Sequence, residues 1–135
     1  LAFFGRPFYF FKYKHVKPLR KPVLLAAILF TLLTAVLFFL PGKNLPAAGW
    51  MAELQVDKWV HVGIFFLLCV LWSVALNIQT SAKFLGLASV AFIYGCLVEW
   101  VQHNFITNRS FDVYDVVADA VGIVVAFTWW RYIKK

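Results

Sequence analysis

The chain has 135 residues, of which 63% are hydrophobic and only 14% charged, and its mean hydropathy is +0.80. A water-soluble domain of this length cannot hide that much apolar surface, so lipid is the expected solvent for most of its side chains. The formal net charge of +7 sits beside apolar spans, which makes anionic lipid headgroups the expected partner and argues against nucleic acid.

In chain order, residues 1–22 mix aromatics with Arg6, Lys12, Lys14, Lys17, Arg20 and Lys21. This reads as a basic, aromatic cytoplasmic arm lying on the membrane surface. Its opening, Leu1–Phe11, is too short to span and lacks an apolar run with a small-residue cleavage site, so a cleaved signal peptide is not expected. Val23–Leu40 carries no charge and is closed by Pro41-Gly42, which predicts a first spanning helix. Lys43–Val56 is a connector containing Pro46, Gly49 and Trp50, the last suited to the headgroup level.

The second span is expected from about Asp57 to Leu76, followed by the polar turn Asn77–Lys83. The third runs from about Phe84 to Gln102 or His103, and Asn104–Phe111, which holds Arg109, forms the next turn. The fourth runs from about Asp112 to Tyr132. Asp115 and Asp119 lower its hydropathy, but Val113–Tyr132 is long enough to cross and ends in aromatics followed by bases. The expected fold is therefore all-α, a polytopic four-transmembrane-helix bundle over residues 23–135. Gly86, Gly95 and Gly122 are expected to permit close helix packing, and Cys69 and Cys96 read as small core residues.

Ten of the 13 Lys and Arg residues fall on the side of the two termini, against Lys43, Lys58 and Arg109 on the other. The positive-inside rule then places both termini in the cytoplasm. All six acids, Glu53, Asp57, Glu99, Asp112, Asp115 and Asp119, lie on the opposite side. Acids do not set topology, so their one-sidedness asks for another cause.

Three spans carry ionisable groups near these outer ends, each set on one helical face. They are Asp57 with His61, Glu99 with Gln102 and His103, and Asp112 with Asp115 and Asp119. At about 1.5 Å per residue, His61, Glu99 and Asp115 sit roughly 4–8 Å inside the helix ends. A carboxylate facing lipid at such depth costs on the order of 3 kcal/mol, so the three faces are expected to converge. Arg109 is the expected counter-charge for Glu99, Asp112 or Asp115, or the holder of an anionic substrate group. His61, Glu99 and Asp115 are the candidate acid/base residues and the candidate ligands of a divalent cation. Arg109, Asp57, Gln102 and Asp119 are the candidate substrate-binding residues. A structural polar network is the competing explanation, and His103 alone reads as interfacial. No phosphate loop, nucleotide fingerprint, HExxH or GxSxG is present.

The order Asp57-Lys58-Trp59-Val60-His61, Glu99-Trp100-Val101-Gln102, Arg109-Ser110-Phe111-Asp112-Val113-Tyr114-Asp115 and Asp119-Ala120-Val121-Gly122 resembles the VanZ-like family over roughly residues 23–135. That family's pattern is DK-x-x-H, then E-x-x-Q, then R, a spaced D, and N-x-x-G. Asp119 stands where the family usually has Asn, exchanging an amide donor for a carboxyl. The resemblance implies a multi-pass protein of a bacterial cytoplasmic membrane, associated with resistance to the lipoglycopeptide teicoplanin. On this reading an outward-facing polar site binds or modifies an anionic envelope lipid or lipid-linked glycan. Two alternatives stand beside it: a small ion or proton carrier, and a non-catalytic membrane partner subunit with a purely structural network. The carrier is disfavoured because the inner halves of the spans hold no charged relay.

Overall fold

The computed structural model describes residues 20–40, 55–107 and 109–134. The expected surface arm before Arg20, and the connector with Trp50, lie outside the described residues. Four helices form the described chain: α1 (Arg20–Phe39), α2 (Val56–Ala75), α3 (Ser81–Phe105) and α4 (Val113–Ile133). Each is long and apolar enough to cross a membrane, as the apolar runs predict. α1 begins three residues earlier than expected because Pro22 falls in its first turn, where a missing N–H breaks no helical bond.

Local chemistry sets the helix ends. α2 stops at Leu76 and Asn77, with Asn77 left-handed at φ 51°. Ile78 N–H donates to Ser73 O at 2.9 Å and Asn77 N–H to Val74 O at 3.0 Å, a Schellman closure in which Asn takes the place usually held by Gly. Thr80 caps α3 by accepting from Lys83 N–H, and Asp112 caps α4 by accepting from Tyr114 N–H at 2.8 Å.

One stripe of each helix is buried. On α1 it is Ala27, Thr34 and Phe38; on α2, His61, Phe65, Leu68, Cys69 and Ser73. On α3 it includes Phe84, Ala91, Gly95, Val98, Glu99 and Gln102, and on α4 Asp115, Ala118, Asp119, Gly122, Ala126 and Trp130. The remaining faces are apolar and exposed: Leu25, Leu29, Leu32 and Val36 on α1, Val90 and Ile93 on α3, and Val117, Val121 and Val124 on α4. This is a multi-pass membrane protein, and its outer surface is built to meet acyl chains.

Lipid is as apolar as leucine, so packing and polar contacts hold such a bundle rather than hydrophobic driving force. The most extensive contact joins α2 to α4. Gly122 allows it, because a Cβ there would strike the backbone carbonyl of Val62. Gly95 acts differently. A Cβ there would strike the Asp119 carboxylate, so this glycine makes the room in which Asp119 sits. Gly86 does not serve packing as expected, since a Cβ there would meet nothing within 4 Å. It lines instead an apolar cavity of about 570 Å³ shared with Thr31, Trp72, Val90 and Tyr94. Trp72 Nε1–H donates to Thr31 Oγ1 at 3.0 Å, tying α1 to α2.

Candidate functional site

The end of the bundle that gathers the C-terminus of α3 with the N-termini of α2 and α4 carries the polar residues. The Arg109–Asp112 segment folds back over α3: Phe111 N–H donates to His103 Nδ1 at 3.3 Å and Asp112 N–H to Glu99 Oε2 at 3.2 Å. The cap of α4 is thereby placed directly against the end of α3.

His61, Glu99 and Asp115 converge from three helices. Each offers a ligand atom, and these atoms all lie within 4.8 Å of one another. The three residues are 6%, 1% and 7% exposed, so none of them faces lipid. Asp119, also buried, accepts from His61 Nδ1 at 2.8 Å. The ring is packed against Phe38 of α1, with centroids 4.9 Å apart. His61 Nε2 lies 3.8 Å from Asp115 Oδ2, too long for a hydrogen bond.

The central cation is Lys58, not Arg109. Lys58 Nζ reaches Asp112 Oδ2 at 2.6 Å, Asp115 Oδ1 at 2.6 Å and Asp57 Oδ2 at 2.8 Å. It stands three residues before His61 and so shares its helical face, and its flexible stem crosses to the first turn of α4. The Lys58 ammonium holds the Asp112 carboxyl below the usual carboxylate range. The expected pairing of Arg109 with Glu99, Asp112 or Asp115 is not made: among the described residues Arg109 forms no ion pair, and its buried Nε has no hydrogen-bond partner. The physical reason is the fold of the turn, where Arg109 N–H donates to Ile106 O at 3.3 Å and the acids have already taken the closer ammonium.

No family model and no solved structure matches the chain. It is similar to an uncharacterized protein of the yeast Schizosaccharomyces pombe, at 30% identity over 110 residues. The match takes in 80% of this chain, which spans 62% of the length of that relative.

The remaining candidates fall in three places. Asp57 is on the rim, its side chain 61% exposed. Gln102 is buried, and its Nε2 donates to Phe38 O at 2.7 Å. That carbonyl is in the last turn of α1, where no intrahelical partner exists, so Gln102 closes α1 onto α3. Asp119 acts as an acceptor toward His61. Lys58 was counted among the outer bases and in the DK-x-x-H pattern but not among the site residues. Its signal was present in the i, i+3 relation to His61.

Proposed function

We propose that this protein binds or acts on an anionic headgroup, of a membrane lipid or a lipid-linked glycan, at the polar end of the bundle. The observation that carries the reading is Arg109. It sits in the turn whose Asp112 N–H meets Glu99, outside the ion-pair network that Lys58 completes, with a buried Nε that lacks a partner among the described residues. A guanidinium so placed is suited to a phosphate or carboxylate arriving from the membrane surface. At the same end of the bundle, His61, Glu99 and Asp115 supply groups able to move a proton or hold a cation beside a bound anion. The carrier reading has less support: from Asp119 toward the far end of the bundle the buried core includes Phe65, Leu68, Cys69, Phe84, Ala91 and Ala126, with no carboxylate or imidazole among the described residues to continue a relay.

The resemblance to VanZ-like proteins agrees with a headgroup-directed site and adds the expectation that expression in a susceptible bacterium protects against teicoplanin. The similar protein is from a yeast, so a headgroup common to many membranes is the broader form of the proposal. The test is titration of the purified protein with short-chain phosphatidylglycerol, and with phosphatidylcholine as the zwitterionic control, followed by native mass spectrometry. Preferential binding of the anionic lipid, weakened at least about tenfold in Arg109→Gln, is expected for loss of one charge-assisted contact. Equal binding of the two lipids, or an indifferent Arg109→Gln, would refute the reading.

A further inference from the structure

We propose that His61 Nε2, Glu99 Oε1 and Asp115 Oδ2 form a three-ligand divalent metal centre of the zinc class, with its fourth position open. This deepens the reading above, in which the same cluster serves an anionic headgroup, by naming the ion that would share it.

The argument is one of atoms already committed and atoms left over. His61 gives its Nδ1 to Asp119 at 2.8 Å. Asp115 gives Oδ1 to Lys58 at 2.6 Å. Glu99 gives Oε2 to the backbone N–H of Asp112 at 3.2 Å. Each of the three side chains is thus held from behind by a different partner, as metal ligands are held by their outer shell. The atoms left over are Nε2, Oδ2 and Oε1.

Those remaining atoms do not satisfy one another. A carboxylate can only accept, so the Nδ1 facing Asp119 carries the hydrogen, and in the neutral ring, the form that binds a metal, the Nε2 lone pair faces Asp115 Oδ2 at 3.8 Å. Two acceptors turned toward each other repel unless a cation lies between them. Glu99 is 1% exposed, yet its Oε1 is buried with no partner among the described residues. An unpaired carboxylate oxygen in such a place is costly. Among the described residues, five carboxyl groups, of Asp57, Glu99, Asp112, Asp115 and Asp119, share the cluster with one ammonium, that of Lys58.

The dimensions are within reach. Tetrahedral bonds of about 2.0–2.2 Å from nitrogen and oxygen to zinc place two ligand atoms about 3.3–3.6 Å apart. One ligand atom from each of the three residues lies within 4.8 Å of the other two, so closure on an ion draws the side chains together by at most about 1.5 Å. The donor set, one imidazole and two carboxylates, selects a borderline transition-metal dication over calcium or magnesium, which take oxygen ligands alone. Three protein ligands leave a position for water or a headgroup oxygen. Asp119 is a positioning residue here, setting the tautomer and orientation of His61, and a carboxylate acceptor is suited to that role.

The test uses the full chain, purified in detergent and stripped with a chelator, titrated with cobalt(II) without added lipid. The expected result is one cobalt per chain with the visible absorption of a four-coordinate site, displaced by zinc and not by magnesium or calcium. Glu99→Gln should abolish it. Asp119→Asn should weaken it by about 10–100-fold, in line with loss of an outer-shell partner. Gly86→Ala, where a Cβ meets nothing within 4 Å, should leave it unchanged. Size-exclusion profiles confirm that each variant is folded, and the conservative Asp119→Asn decides the matter should Glu99→Gln fail to fold. A folded wild type that takes neither cobalt nor zinc would overturn the centre, as would cobalt binding indifferent to Asp119→Asn. Because the metal is read without lipid, metal binding alongside lost headgroup selectivity would strike down the headgroup reading alone. Headgroup selectivity in a protein that takes no metal would strike down the centre alone.

Discussion

Replacing Gly95 by Ala is a one-carbon change with a large expected effect. The new methyl would fall against the Asp119 carboxylate, 3.1 Å from Phe65 Cζ and 3.2 Å from Asp119 Cγ. Neither neighbour has room to retreat: Asp119 is 1% exposed and Phe65 fully buried. The carboxylate must leave His61 Nδ1 or the helices must part. Overpacking of this kind costs about 1–3 kcal/mol, and a lost charge-assisted hydrogen bond about 1.5–3 kcal/mol. The intrinsic helical preference of Ala over Gly returns about 1 kcal/mol. A net destabilisation of about 1.5–5 kcal/mol is expected on these figures. The control lies on the same helix: Gly86→Ala meets nothing within 4 Å and should be neutral or slightly stabilising. The assay is equilibrium unfolding by SDS in mixed micelles, with wild type and both variants side by side. Should Gly95→Ala unfold with the wild type, or Gly86→Ala fall as far as Gly95→Ala, the account of Asp119 as a carboxylate seated in a glycine notch is wrong.

Gly122→Ala should be more damaging than Gly95→Ala in the same assay, because the obstacle is the Val62 backbone carbonyl rather than a side chain. Asp112→Asn keeps a good cap but loses its charge toward Lys58, whereas Asp112→Ala loses both and should be less stable by about a further 1 kcal/mol. Because the Asp112 carboxyl is held below its ordinary value by Lys58, its stabilising contribution is fully present above about pH 4 and is lost as pH falls through the lowered value. Wild type should therefore lose more melting temperature than Asp112→Asn between pH 6 and pH 3, and parallel curves would refute the pairing. Reporters active only outside the cytoplasm should be silent when fused after Ile133 and active when inserted between Leu40 and Gln55; the reverse pattern would invert the orientation of the site.

The four helices were legible because each apolar run meets the spanning length and ends in turn chemistry, Asn77 through Thr80 and Asp112 being the clearest cases. α4 was legible despite Asp115 and Asp119, since their spacing keeps both on one buried face. The meeting of His61, Glu99 and Asp115 followed from the cost of a carboxylate in lipid, an argument independent of tertiary detail. What spacing cannot supply is the partner across a helix interface. Lys58 and Arg109 both border the acids in sequence, and only the fold of the turn decides which ammonium or guanidinium reaches them. Gln102 shares a face with Glu99, yet its amide turns to Phe38 O of α1, a carbonyl that no pattern announces. The three glycines look alike in the sequence and differ only in what stands opposite each one.

The central claim is that the buried cluster is a working site and not a clasp that holds the helices together. Glu99→Gln separates the two most directly, because it keeps the shape and removes the charge. Its unfolding free energy and its anionic-headgroup selectivity should be measured on one preparation. A working site, in which Glu99 holds a cation beside the bound headgroup, predicts stability close to wild type with selectivity lost. A clasp predicts the opposite, with stability down by about 1.5–3 kcal/mol as the Asp112 N–H loses its charged acceptor and selectivity retained in whatever fraction stays folded.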